Sequence, residues 1–368
     1  MTGSSQQLPQ GRAEELIQVA HIEELSGAEL LALFQAEDGL LEFSPQNYGQ
    51  VDPRSNDKIL FNPQRAKRPN ADTVTKTIDS CPICDGHTTR IIDYTALSEG
   101  FTFINKNLYP AMFPHEDIRF HPPGTTRFPA WGMHFLQWTS SFHEQGWHNM
   151  AINDLVMVLA RLGALEKYLL TTFAEHFTSS KWDTPDGAKG HVSIIKNGGL
   201  GSGGSLSHDH QQIIFSNALP RRIIENMRFE EKHGKVFSKY ILEKNPASLV
   251  IRDIGEAVLL VPYFMRRPYN MLLVLKDTSK QHVYQLTPGE RASIARGWKA
   301  AIQAIHGLTA MQGSNLPFNV ITHNGVGAGL YFEFLPRSQT EGGFELIGFS
   351  VCQSSPDLAA EQIRQVLM

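Results

Sequence analysis

"NGGLGSGGSLSHDHQQIIFSN" spans residues 197–217. Gly198, Gly199, Gly201, Gly203 and Gly204 would let backbone approach a ligand and turn N–H groups toward an anion. The residues after them read as a strand, and on a strand positions i, i+2 and i+4 share one face. His208, His210 and Gln212 then line one side, with Asp209 and Gln211 on the other. Two imidazoles and an amide in phase, entered from a glycine-rich turn, form the pattern of a binding site.

The grammar around this stretch extends in both directions. "HVSIIKNGG" supplies the strand before the turn, and a polar loop, "SSKWDTPDGAKG", precedes it. Apolar residues at i, i+3, i+4 and i+7 predict a long helix from about Met150 to Phe177. "GFTFINKNLYP" (100–110) and "GMHFLQW" (132–138) read as strands before it. The second half repeats the order. "EAVLLVPYFMRRPYNMLLVLK" gives two strands, a helix spans roughly Pro288 to Met311, and "LPFNVITHNG" leads through glycines to "GLYFEFLPR". Strand, strand, helix, strand, glycine turn, strand thus occurs twice. The expected class is α+β, with two duplicated halves on antiparallel sheets packed with helices. The expected organisation is a helical extension over 1–45, an N-terminal catalytic half over 46–220 and a C-terminal half over 221–368. Ser26 is the expected N-cap in the extension. Tyr331, Phe332 and Glu333 stand in the second copy where the first has His208, Asp209 and His210.

Composition narrows the functional classes. The chain has 368 residues, is 41% hydrophobic and 19% charged, and carries a formal net charge of −4. That charge argues against a nucleic-acid coat protein while leaving room for a local phosphate pocket. No run of 18 apolar residues suggests a membrane span, and "MTGSSQQLPQGRAEEL" lacks the basic-then-apolar pattern of a secretory leader. Three cysteines cannot build a disulfide framework, and a cytoplasmic location is expected. In that setting Cys81-x-x-Cys84 points to metal or redox chemistry.

Taken together, these segments resemble the galactose-1-phosphate uridylyltransferase branch of the histidine-triad superfamily. "DPRSNDKILFNPQRAKRPN" (52–70) is similar to its RAKRP-bearing N-terminal segment, and "CPIC" (81–84) to its zinc cysteines. "FINKNLYPAM" (103–112) resembles its nucleoside-binding strand, "HDHQQ" its active-site segment, and "GGFELIGFSVCQSSPDLAAEQIRQVL" (342–367) its C-terminal segment. The resemblance runs in order from about residue 50 onward and leaves only the helical extension unmatched. It implies duplicated histidine-triad-like halves and nucleotide transfer from a nucleotide sugar through a covalent histidine intermediate, in ping-pong order. His210 would be the nucleophile, with Gln212 and Ser205 holding phosphate oxygens. Arg65 and Arg68 would bring positive charge to the phosphates, and Asn197, Gly203 and Gly204 would surround the diphosphate. Asn107 would contact the nucleoside and Glu345 the sugar. Cys81, Cys84 and His208 match zinc ligands; the segment "WTSSFHEQGWHNMAINDL" points to His143 as the fourth, with His87, His115, His121 and His148 as competitors. A Cys2His2 set is closed, so the zinc would be structural. Relatives also imply a homodimer.

Several positions depart from the family pattern. Asp209 replaces the usual proline or serine, and Leu108 stands where an acidic residue is usual. Gln339 and Thr340 replace the expected lysine and aromatic residue before the sugar-binding glutamate, and "GGFE" is closer to the related ADP-glucose phosphorylases. The second half lacks the paired histidines of a second metal site. The expected function is that of a hexose-1-phosphate uridylyltransferase-like nucleotidyltransferase, with a nucleotide sugar and a phosphate-bearing acceptor as substrates, the acceptor being a hexose 1-phosphate or inorganic phosphate. The alternatives are phosphorolysis or hydrolysis of ADP-glucose or dinucleoside polyphosphates, or nucleotide binding without turnover.

Overall fold

A computed structural model describes residues 6–37, 39–67, 81–116, 127–173, 190–199, 201–204, 206–313 and 316–368. Arg68, His121 and Ser205 lie outside the described residues. The chain divides into two compact units. The first comprises 1–144, 161–194 and 208–225, and the second 145–160, 195–207 and 226–368.

The first unit opens with α1 (Gln10–Leu16) and α2 (Gly27–Gln35). Ser26 caps α2 as expected, because its hydroxyl accepts from the Glu29 N–H while the Glu29 carboxylate accepts from the Ser26 N–H. A small antiparallel sheet of β1 (Tyr48–Val51), β2 (Lys58–Leu60) and β5 (Arg127–Pro129) follows, in the order β2-β1-β5. The sheet that carries the site holds β3 (Ile91–Ala96), β4 (Phe101–Lys106), β6 (Gly132–Trp138), β7 (His191–Gly198) and β8 (His210–Ser216). Their order is β3-β4-β6-β8-β7, with α3 (Ile152–Thr172) before the last two in sequence. The boundary between the units falls inside both β7 and α3. Leu155, Val158, Leu159, Leu162, Leu165 and Leu169 make the buried stripe that the α3 periodicity predicts.

The second unit contains α4 (Arg221–His233) from Asn226 onward, α5 (Phe237–Lys244), β9 (Val250–Asp253), β10 (Ala257–Leu260), β11 (Met271–Leu275), α6 (Pro288–Gln312), β12 (Phe318–His323), β13 (Tyr331–Pro336), α7 (Gly343–Leu346) and α8 (Pro356–Val366). Its strand order, β9-β10-β11-β13-β12, repeats the order β3-β4-β6-β8-β7, and α6 precedes its last two strands in sequence as α3 precedes β7 and β8. The turns before the last strands repeat as well. Gly199, Gly201 and Gly203 have positive φ in the first copy, and Gly325, Gly327 and Gly329 in the second. Alternate left-handed glycines in both copies bear out the duplication from backbone geometry alone. The α6 stripe of Ile294, Trp298, Ala301, Ile305 and Leu308 is buried, and the Trp298 ring meets Phe332 and Phe334 of β13 edge-on. Gly297 brings the helix close, since a Cβ there would lie 2.4 Å from a Leu273 methyl on β11.

β6 and β8 form the floor of the site, paired from Gly132↔Ser216 to Trp138↔His210. A Cβ on Gly132 would stand 2.0 Å from the Phe215 carbonyl oxygen, a backbone atom that cannot swing away. Gly132→Ala is therefore expected to destabilise the protein by about 2–3 kcal/mol, at the upper end of overpacking costs. Chemical denaturation checks this; an unchanged midpoint would contradict the close approach.

Candidate active site and metal centre

Pairing of β8 with β6 stops at Trp138↔His210, so His208 is not on the strand. This corrects the expectation of a single three-residue face. Only His210 and Gln212 share the pleat, and His208 sits in the bend before it. The release has a use: freed from strand alternation, the His208 ring can turn toward the cysteines.

The "CPICDG" segment is a tight knuckle. The N–H groups of Asp85, Gly86 and His87 donate to the carbonyls of Cys81, Ile83 and Pro82, and Gly86 has a φ of 75°. Buried Ile83 anchors it. Both thiols then face imidazoles: Cys81 Sγ lies 3.7 Å from His208 Nδ1, and Cys84 Sγ lies 3.6 Å from His208 Nδ1 and 3.8 Å from His143 Nδ1. The four donor atoms lie within 4.8 Å of one another. A tetrahedron with Zn–S of about 2.3 Å and Zn–N of about 2.0–2.1 Å has S···N edges of about 3.6 Å, so the spacing fits a zinc ion. His208 Nε2–H donates to the Ser140 carbonyl at 2.9 Å, which fixes the tautomer and leaves the unprotonated Nδ1, with its lone pair, facing the cysteines as a metal-ligating atom. Burial pushes the Cys84 thiol up to about 12, with Cys81 beside it adding to the rise, and burial pushes His208 down to about 4. Both groups are thus poised neutral until a cation compensates the thiolates.

The competitors for the fourth ligand among the described residues go elsewhere. His115 Nε2–H donates to the Pro45 carbonyl at 2.8 Å, the His148 ring packs on His306, and His87 is exposed. The backbone of His143 is tied to the N-terminal segment, its N–H donating to the Gln6 carbonyl, while Leu8 N–H donates to Ser141.

His210 is 6% exposed, and its ring lies 4.8 Å from that of Trp138. Its Nδ1–H donates to the His208 carbonyl at 2.8 Å, and a carbonyl can only accept. Nε2 is then the unprotonated nitrogen, with its lone pair directed away from that bond. Asp209 has a structural partner: Thr139 Oγ1 donates to its carboxylate at 2.6 Å, and Thr139 N–H to its carbonyl at 3.0 Å. The five residues "TSSFH" (139–143) thus hold Asp209 and His208 and supply His143 to the cysteine–histidine cluster. Thr139 and Ser140 were not legible as site residues, and Ser140 contributes only a carbonyl, which no side-chain pattern signals.

The remaining expected residues are distributed over both units. In the first, Arg65 Nη1 donates to the Tyr109 carbonyl at 3.1 Å. Asn107 Oδ1 accepts the Tyr109 N–H at 2.9 Å, and its other amide atom faces buried His134. In the second, Asn197 accepts from Asn319 Nδ2 at 2.7 Å, beside the turn that carries Gly203 and Gly204. The Glu345 carboxylate accepts from Gly342 N–H at 2.9 Å and so caps α7; its own backbone N–H first, and then that bond, hold its pKa below the usual range. Also in the second unit, His323 Nε2 meets the Glu333 carboxylate at 2.9 Å, with the Tyr331 ring stacked on the imidazole.

No protein-family model matches the sequence. Among solved structures, a uridylyltransferase superposes with a TM-score of 0.68, covering 87% of this chain and 98% of its own at 18% identity. The chain has the uridylyltransferase fold. An ADP-glucose phosphorylase from Arabidopsis thaliana is 23% identical over 344 residues, 86% of this chain and 92% of its own length. The structure of an Arabidopsis thaliana ADP-glucose phosphorylase with bound ADP-glucose superposes with a TM-score of 0.59 at 19% identity, over 88% of this chain and 99% of that one. The uridylyltransferase fold here is α+β, as the duplicated pattern predicts. No helix among the described residues is long and apolar enough to cross a membrane.

Proposed function

We propose that this protein is a nucleotidyltransferase that takes a nucleoside monophosphate from a nucleotide sugar onto His210. The observation that carries the reading is the Nδ1–H bond of His210 to the His208 carbonyl, which leaves Nε2 unprotonated and nucleophilic. Nε2 attacks the α-phosphorus, an N–P bond forms, the bond to the bridging oxygen breaks, and a sugar 1-phosphate leaves. An acceptor phosphate oxygen then attacks the same phosphorus and releases His210. Gln212, in phase with His210 on β8, would donate to a phosphate oxygen. Ser205, Arg65, Arg68, Asn197 and the glycine N–H groups keep their proposed phosphate-binding roles, and Asn107 its nucleoside contact.

Cys81, Cys84, His143 and His208 would hold the zinc. Bound there, it would tie the knuckle to the peptide that carries the nucleophile. His208 would serve both purposes, offering Nδ1 to the metal and its carbonyl to His210. The homodimer belongs to the same proposal: Phe344, Leu346, Ile347, Phe349 and Val351 are exposed apolar side chains of one segment, with the Phe344 and Phe349 rings stacked, and a partner chain would cover them. A cytoplasmic location likewise stays a proposal.

Two acceptors are compatible with this chemistry, and one is favoured. The Glu345 carboxylate already caps α7, and Gln339 Nε2 donates to the Val351 carbonyl, so the segment expected to grip a hexose is engaged with itself. The similarity to an ADP-glucose phosphorylase points the same way. Inorganic phosphate as acceptor would yield a nucleoside diphosphate, and a hexose 1-phosphate would yield a new nucleotide sugar. A screen of ADP-glucose and UDP-glucose against both acceptors tests this. The expected result is ADP and glucose 1-phosphate from ADP-glucose plus phosphate; exchange only with a hexose 1-phosphate would select the other acceptor.

A further inference from the structure

On α6, Arg296, Lys299 and Gln303 stand at i, i+3 and i+7, which puts them on one stripe of the helix. They do not belong to the buried stripe, which runs through Trp298 and Ala301. Beside them the end of β9 and the turn to β10 contribute Arg252, Asp253, Ile254 and Gly255. With Ile152 and Ala300 these residues line a cleft of about 470 Å³ in the second unit. That volume lies within the ~300–1,000 Å³ usual for small-molecule sites. None of the residues expected to serve nucleotide transfer lines it.

The charge balance of the cleft is one-sided. Among the described residues, none of its three cations meets a carboxylate. Arg252 Nη2 donates to the Leu367 carbonyl at 3.0 Å, Arg296 Nη2 to Ser293 Oγ at 3.0 Å, and Lys299 Nζ to the Met150 carbonyl at 2.8 Å. The one acidic residue in the lining, Asp253, is taken up by Lys276, whose Nζ lies 2.9 Å from each carboxylate oxygen, and by the Gly255 N–H. Three like charges are therefore brought to one cleft, each with a neutral partner, in a chain whose net charge is −4. Like charges repel unless an anion joins them. Two guanidinium forks and an ammonium suit the oxygens of a phosphate, and the cleft is larger than a bare phosphate requires. Ile152, Ile254 and Ala300 offer apolar wall for the rest of a ligand, and the Gln303 Oε1 can accept from a hydroxyl, since its Nε2 is donated to the His148 carbonyl at 2.8 Å.

We propose that this cleft is a second binding site, for a small phosphomonoester such as a sugar phosphate, with the phosphate held by Arg252, Arg296 and Lys299. The site stands independently of the chemistry at His210. The test is calorimetric titration of glucose 1-phosphate and of inorganic phosphate at constant ionic strength. It uses the full-length wild type, the Arg296→Gln/Lys299→Gln double variant and, from the opposite wall, Arg252→Gln. The wild type is expected to show a saturable binding event for the ester, tighter than for inorganic phosphate, and each variant to weaken it by about tenfold or more. Turnover at saturating nucleotide sugar and labelling of His210 should stay as in the wild type, which separates the cleft from the proposed reaction site. Equal ester affinity in wild type and both variants would overturn the proposal. Equal binding of ester and bare phosphate would also overturn it, because the apolar wall would then contribute nothing.

Discussion

Glycine in place of His210 is expected to lower nucleotidyl transfer by about 10⁴-fold or more while the protein stays folded. The size follows from the role. A residue that only steadies a phosphate oxygen costs about 10²–10³-fold when removed, whereas removing the nucleophile removes the two-step route itself. The structure also indicates why the loss should not be one of folding. His210 sits at the end of β8, where pairing with Trp138 closes the ladder, and its imidazole donates to the carbonyl two residues back on its own segment. Gln212→Ala should fall in the smaller class. Steady-state kinetics on the three proteins, with circular dichroism to check folding, gives the comparison. A His210→Gly protein retaining a tenth of wild-type turnover would remove His210 from the reaction.

The second large effect concerns the cluster of Cys81, Cys84, His143 and His208. Purified protein is expected to carry about one zinc per chain. Cys84→Ser should abolish loading and cost at least ~3 kcal/mol of stability, below the ~10–16 kcal/mol by which structural zinc binds zinc-finger peptides, since strands and helices already order this unit. Without a metal, the substituted protein leaves buried His208 and half-buried His143 facing a hydroxyl in place of the thiolate, which adds to the cost. His143→Ala should lower zinc content strongly and His115→Ala should not, because the His115 imidazole is committed to the Pro45 carbonyl. Elemental analysis with denaturation curves reads both quantities. Metal-free protein of unchanged stability would refute the assignment.

What the sequence made legible depended on which atoms carried the information. β6 was readable at its full length, 132–138, because a short run dominated by Met133, Phe135, Leu136 and Trp138 and bounded by Gly132 and Thr139 has few other readings. α6 was readable to within a residue because Thr287, Pro288 and Glu290 make a capping box with proline at the first position, and Gly313 ends the helix in the left-handed region. β3 escaped notice for a physical reason. Its inward face carries Asp93, buried at 1% exposure and paired with Arg161 of α3, and an acid in the middle of "IIDYTA" breaks the apolar signal. β1, β2 and β5 are three or four residues each, too short for alternation to register. At the site, chemistry was more legible than conformation. Two cysteines and two histidines were identifiable by type and resemblance, and the structure gathers all four. That His208 leaves the strand was not visible, because strand periodicity assumes continued pairing and the ladder stops at His210. Asp209, odd by comparison with relatives, acquires a role only when Thr139 is seen to donate to it.

The measurement that bears most directly on the proposed chemistry is intact mass after brief mixing with ADP-glucose or UDP-glucose, without acceptor. Wild-type protein is expected to gain the mass of one AMP or UMP on a peptide containing His210, and to lose it when phosphate is added. The His210→Gly protein should gain nothing. A wild-type protein that turns over a nucleotide sugar with no such adduct, or that carries the adduct on another residue, would contradict the account.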